Sequence, residues 1–291
     1  MRGSRLMSLR HPAVALGALL VLVAAAMAIA SAGGGGASPN ARPTPVAQAG
    51  YVTRQAPGFK FELTISGSDG GGSFTFGGEG SIDERDLEGT MSMQIAGESV
   101  RELIKNPYIY VEIPAIGSAE LAGAKRWVRT NIDAYTQALG ASPPFGATTT
   151  GPTQLLSLLK AAGQVTTLGE QSVRGVISTH YHALVDFSRY SSMVTPSLRA
   201  AMQRYAAELT RITGSSTLPI DVWVDAHQRV RRFSTQLQIC TPQGALAETV
   251  AMDLYDYGPQ PAVVAPAPSE VTDITSQLTS RSSQVLQQLG C

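Results

Sequence analysis

The stretch V-I-S-T-H-Y-H-A-L-V-D-F, residues 176–187, decides how the chain is read. Two histidines one residue apart, in a chain that holds four, invite a metal site. Period-two alternation places them instead on one face of a β-strand. Ile177, Tyr181, Ala183, Val185 and Phe187 share the face predicted to join a sheet interior, and Val176, Ser178, His180, His182, Leu184 and Asp186 share the other. A His-x-His pair on a strand binds zinc only where a third ligand converges. Asp186 lies too far along the strand, and His227 falls in the predicted turn D-A-H-Q-R, tied to the pair by no motif. The pair therefore reads as a polar sheet face, with a metal-dependent enzyme using His180 and His182 kept as an alternative.

The same alternation extends outward on both sides. Phe59, Phe61, Leu63 and Ile65 alternate with Lys60, Glu62, Thr64 and Ser66, and the turn G-S-D-G-G-G leads to a strand carrying Phe74 and Phe76. Leu87, Met91, Met93 and Ile95 mark a third strand, Ile109, Val111 and Ile113 another after the break at Asn106-Pro107, and K-R-W-V-R-T a further one. The period then changes. Leu155, Leu158, Leu159 and Ala162 form a helical stripe after Pro152, stopped at Gly163. Leu198, Met202, Tyr205, Leu209 and Ile212 form a second on a helix over 196–213, with Thr195 as its cap. Between the helices, 164–173 and 176–187 make a hairpin around Arg174-Gly175, and three strands close the chain over 218–225, 229–239 and 247–257. Strands in runs with interleaved helices indicate an α+β fold: a large antiparallel sheet, twisted and curled, with helices on one face. Methionines at 91, 93, 202 and 252 fall on the predicted inward faces, where flexible thioethers suit an irregular space.

Arg2, Arg5 and Arg10 precede an apolar run from Ala13 to Ile29 that ends in Ala30-Ser31-Ala32. Residues 1–32 thus read as a cleaved secretory signal or an uncleaved signal anchor, and the rest as exported. Residues 33–50 read as a flexible Gly/Pro linker, 51–261 as one domain, and 262–291 as a Pro-rich, polar tail. Three of the 22 basic residues lie ahead of Gly33 and none of the 22 acidic ones does, so the exported part carries a net charge of about −3, which offers nothing to a nucleic acid. An exported compartment permits a disulfide between Cys240 and Cys291, the two cysteines of the chain. The chain contains no G-x-S-x-G, H-E-x-x-H or phosphate-loop motif, and neither a cofactor nor a catalytic residue is expected.

Three stretches carry a resemblance: L-L-S-L-L-K-A-A-G-Q-V-T-T-L-G-E-Q-S-V-R-G-V-I-S-T-H-Y-H-A-L-V-D, then S-T-L-P-I-D-V-W-V-D-A-H-Q-R-V-R-R-F, then L-Y-D-Y-G-P-Q-P-A-V-V-A-P. Together they resemble the actinobacterial LppX/LprG-type envelope lipoproteins, whose fold is like that of the carrier LolA. The resemblance spans about residues 154–273. It implies a half-barrel of antiparallel strands wrapped against helices, around an apolar cavity that receives acyl chains of lipids or glycolipids at the outer side of the cytoplasmic membrane. In that reading the cavity is lined by Phe61, Leu63, Met91, Met93, Ile109, Val111, Leu155, Leu159, Met202, Tyr205, Leu209, Val222 and Val224. One departure stands out: no cysteine follows the apolar run, so lipidation does not carry over. The competing reading from another class is an envelope structural or signalling domain with a filled core, binding a protein partner through an edge or the His-bearing face.

Overall fold

The computed structural model describes residues 43–69, 72–95, 98–113, 125–134, 156, 158–193, 196–241 and 244–280. They form one twelve-stranded open sheet in the order β12-β6-β5-β4-β3-β2-β1-β11-β10-β9-β8-β7. The strands are β1 (Gly58–Asp69), β2 (Gly72–Asp83), β3 (Glu88–Ile95), β4 (Glu98–Lys105), β5 (Tyr108–Glu112), β6 (Trp127–Asn131), β7 (Ala162–Val173), β8 (Val176–Asp186), β9 (Thr217–Asp225), β10 (Val230–Thr241), β11 (Gly244–Tyr255) and β12 (Val271–Asp273). Two meanders, β1–β6 and β7–β11, meet where β11 pairs with β1. Every pair is antiparallel except β12 on β6, so the sheet is mixed at one edge.

The sheet is strongly twisted. In a flat sheet β8 and β1, four strand spacings apart, would be separated by roughly 19 Å. Yet Arg174, in the β7–β8 turn, reaches Glu62 on β1 at 2.6 Å and lies 4.0 Å from the Tyr255 ring on β11. Right-handed twist accumulated over many strands brings such distant corners together. The turn itself is set by Arg174 and Gly175, both at positive φ.

Helices α1 (Pro45–Arg54), α2 (Phe187–Met193) and α3 (Pro196–Thr213) complete the described fold, with a 3-10 turn at Leu159–Ala161. The first corrects the end of the expected linker, residues 45–50, while residues 33–42 lie outside the described residues. Thr44 caps α1 by accepting the Ala47 amide at 3.2 Å, and Val46, Ala49, Gly50 and Thr53 are buried. Those positions are spaced as one face of a helix. Thr53 Oγ1 accepts the Val230 amide at 2.8 Å, tying α1 to β10.

The helix expected to run from Pro152 to Ala162 ends earlier. Leu156, Leu158, Leu159 and Ala161 are buried, but the chain is already extended at Ala162, and Gly163 lies in β7 rather than stopping a helix. Leu155 and Thr195 lie outside the described residues.

The expected tail is a second correction. From Tyr257 the chain runs past the ends of β1 to β5 and adds β12 beside β6. Glu88 and Lys105 clip it in passing: Lys105 Nζ donates to the Val263 carbonyl at 2.9 Å and Glu88 Oε2 accepts the Val263 amide at 2.9 Å. Val263 and Val271 thereby close an apolar cluster with Leu103, Tyr110 and Trp127 on the outer face of the sheet.

Candidate functional site

The inner face of the sheet can be followed as rows of directly paired residues. The deepest is Thr130-Ile109-Ile104-Gly89-Ile82-Phe59, from β6 to β1. Beside it runs Val128-Val111-Glu102-Met91-Gly80-Phe61-Leu254, from β6 to β11. The next, Val100-Met93-Gly78-Leu63-Met252-Phe233-Val222-Tyr181, reaches from β4 to β8. Beyond them lie Phe76-Ile65-Val250-Thr235-Ile220-Ala183 and Phe74-Gly67-Glu248-Leu237. None of these five rows contains a lysine or arginine.

Cover over this face is graded. In the three deeper rows every aliphatic, methionine and phenylalanine side chain is buried. Toward the β1–β2 and β10–β11 turns, Ile65, Phe74, Phe76, Leu237 and Val250 are only half-buried. Phe74 and Phe76 stand with ring centroids 5.1 Å apart at this end. The face is thus largely apolar, closed at one end and partly open at the other.

The glycines of β2 shape it. A Cβ on Gly80 would sit 2.7 Å from Phe61 Cζ and 2.1 Å from the Thr90 carbonyl oxygen, and one on Gly78 2.6 Å from Met93 Cγ. Phe61 and Met93 therefore lie flat across β2, where any other residue would lift them into the interior.

Of the predicted lining, Phe61, Leu63, Met91, Met93, Ile109, Val111, Leu159, Val222 and Val224 belong to one buried cluster. The strand phase that groups them is the observed one. Leu155 and the side chains of Met202, Tyr205 and Leu209, on α3, are outside the described residues. Two features escaped sequence reasoning: Glu102 on β4 and Glu248 on β11 both point to the inner face. Burial pushes both carboxyls above the ordinary carboxylate range, Glu102 well above it. Period two between Val100 and Ile104 was the available signal for Glu102.

The histidine pair lies on the outer face, as its phase requires. His180 Nε2 is 2.9 Å and His182 Nδ1 3.3 Å from the same oxygen, Asp221 Oδ1. His180 stacks on Trp223, with centroids 4.1 Å apart and planes 10° from parallel. Trp223 Nε1 donates to Gln171 at 2.8 Å, and the Arg232 guanidinium beside the same ring pairs with Asp253 at 2.7 Å. His227 is held elsewhere, its amide bound by Asp225 in the β9–β10 turn. Among the described residues no three His, Cys, Asp or Glu side chains are grouped to hold a metal ion.

On the inner face of β8, Tyr181, Ala183 and Val185 meet the core as expected. Ile177 does not: it is 61% exposed, because this end of β8 projects past the last β8–β9 pair at Ser178 and Asp225. The Phe187 side chain is outside the described residues. Cys240, near the end of β10, is disulfide-bonded, while Cys291 is outside the described residues.

No family model matches the chain. It is similar to LppX. That Mycobacterium tuberculosis lipoprotein is 14% identical, with a TM-score of 0.46 over 76% of this chain and 96% of the other. LprF from Mycobacterium bovis gives 13% identity and a TM-score of 0.44, over 78% of this chain and all of that one. A LolA superfamily protein of Nitrosomonas europaea gives 8% and 0.33, over 77% and 96%. In sequence, an uncharacterised 31.2 kDa protein from the rplA–rplJ intergenic region of Streptomyces griseus is 25% identical over 254 residues, 82% of each chain. Among the described residues no helix is long and apolar enough to cross a membrane.

Proposed function

We propose that the protein is an exported, non-enzymatic lipid-binding protein that carries or senses lipid or glycolipid acyl chains at the cell envelope. The observation that supports this reading is the graded inner face: an apolar surface spanning most of the sheet, free of basic residues, fully covered at one end and half-covered at the other. Such a surface suits a linear apolar ligand entering from the half-covered end. An acyl chain of about sixteen carbons would gain roughly 10 kcal/mol at about 0.8 kcal/mol per methylene, before ordering costs, so retention needs no covalent chemistry.

The test is native mass spectrometry of the full chain purified from the envelope of the cell that makes it. A bound lipid at about one per chain is the expected result. A protein that carries no lipid, and takes up no hydrocarbon probe after delipidation, would overturn the reading.

A further inference from the structure

Glu102 is fully buried, and neither carboxyl oxygen has a hydrogen-bond partner among the described residues. Its neighbours along β4 on the same face are Val100 and Ile104, and its neighbours across the sheet are Met91 and Val111. All four belong to the apolar core cluster. In its row of seven residues it is the one polar side chain.

A carboxyl in such a place is costly twice over. Burial without a partner forfeits its bonds to water, and an apolar side chain of similar size would fill the same space more cheaply. Buried polar groups in native interiors are normally satisfied, so an unsatisfied one calls for an explanation. Two of the other three buried acids among the described residues are satisfied: Asp83 takes the Arg85 guanidinium and two backbone amides, and Asp225 takes Arg231 and two backbone amides. Glu102 is set apart by its place at the closed end of the face proposed to receive a ligand, whereas Glu248, the third, lies at the half-covered end.

We propose that Glu102 is the polar subsite of that face, a neutral carboxylic acid that hydrogen-bonds an uncharged oxygen, ester carbonyl or hydroxyl, borne by the lipid within its apolar body. This rests on the lipid-binding reading and narrows it to a substrate class. The neutral acid has one O–H to donate to a carbonyl and a carbonyl oxygen to accept from a hydroxyl. An anionic headgroup does not fit, because no lysine or arginine stands in the inner rows to meet it. Phosphate and carboxylate ends of the ligand belong at the half-covered end or outside, and the buried end takes oxygenated hydrocarbon.

The test uses the full chain, delipidated, with diphenylhexatriene as a fluorescent hydrocarbon probe and three competitors: methyl palmitate, 1-hexadecanol and n-heptadecane. Probe binding by the wild type reports the apolar site alone, so its absence overturns the lipid reading itself. With the probe bound, methyl palmitate and hexadecanol are expected to displace it roughly two- to tenfold more effectively than heptadecane, the range one hydrogen bond supplies. Glu102→Gln, which keeps a neutral donor and acceptor, should retain the preference. Glu102→Met should abolish it, with saturable probe binding by that variant showing that its apolar site is still formed. Equal competition by all three in the wild type, or a preference that survives in Glu102→Met or is lost in Glu102→Gln, would overturn the subsite. So would hexadecylamine binding more tightly than hexadecanol, which would make Glu102 an ionised partner for a cation.

Discussion

Glu102 and Asp83 are both buried acids, and their surroundings drive them in opposite directions. The Asp83 carboxyl is held at about 2 by the Arg85 guanidinium and the Arg85 and Asp86 amides. Its contribution to stability is complete above the ordinary carboxylate range and is lost as pH falls toward 2. Desolvation raises Glu102 well above that range, so the folded chain keeps a proton that the unfolded chain releases. Stability is therefore lost as pH rises from the ordinary carboxylate range toward the raised folded value, with a slope of about 1.4 kcal/mol per pH unit. Urea unfolding of the delipidated protein between pH 5 and 7 should show that decline; because burial raises Glu248 in the same direction, Glu102→Gln should shrink it and Glu102→Gln with Glu248→Gln should remove it. A wild type whose stability is flat across the window, or a Glu102→Gln variant that keeps the full slope, would refute a buried neutral Glu102. The residue was hidden in the sequence because V-R-E-L-I-K reads equally as a wet strand: Arg101 and Lys105 take the outer face, and a glutamate is ordinarily assigned with them.

At the scale of elements, the parts that the sequence made plain are those with large apolar residues at a clean period. Phe59, Phe61 and Leu63 on β1 are one case, and Ile220, Val222 and Val224 on β9 another. Helix α1 was missed because its buried stripe is Val46, Ala49, Gly50 and Thr53, correctly spaced but built of small residues that composition counts as linker. The small size has a reason: a Cβ on Gly50 would stand 2.7 Å from the Leu156 carbonyl, so α1 lies close against the segment before β7. β12 was missed because three residues paired in parallel to an edge leave no period to detect.

Strand β2 was legible through Phe74 and Phe76, but beyond them Gly77, Gly78 and Gly80 interrupt its alternation. Their role is to admit neighbouring side chains, which only the three-dimensional register reveals. Gly80→Ala should accordingly cost about 1–3 kcal/mol, since both Phe61 and the β3 backbone must move. Gly77→Ala, whose Cβ would meet one atom at 3.9 Å, should cost much less. Thermal unfolding of the two variants compares them directly, and equal losses would mean that close approach on the inner face is not what β2 glycines provide.

For the whole molecule, the open sheet raises the question of what holds its two meanders in one shape. Inside, they share β1 and β11 and the core beneath. Outside, the segment after Tyr257 straps the β1–β6 half, and Cys240 on the other half is disulfide-bonded. With Cys291 the one other cysteine in the sequence, non-reducing peptide mapping is expected to recover the Cys240 peptide joined to the C-terminal one. Free thiol at Cys291 would rule that pairing out. A disulfide there would tie the chain beyond β12, which pairs with β6, to the β7–β11 half, and so resist splaying of the two halves.

Such bracing matters for a binding face that is covered unevenly. The half-buried residues Ile65, Phe76 and Val250 sit on β1, β2 and β11, at the junction of the meanders, so a ligand laid there bridges the two halves from within. A ligand that binds only the folded chain at a hundred times its dissociation constant adds about 2.7 kcal/mol of stability. If the inner face is the site, that gain is local in a testable way. Hydrogen exchange with and without bound hydrocarbon should slow most at the far ends of β1, β2, β10 and β11. The edge strand β7, exposed along most of its length, should change little. The outer-face ladder of His180, Asp221 and Trp223 should be equally indifferent, since the β-sheet itself separates it from the inner rows. Protection that appears instead along β7 or around His180 and His182 would relocate binding to the edge or the outer face, and would favour a protein partner over a lipid.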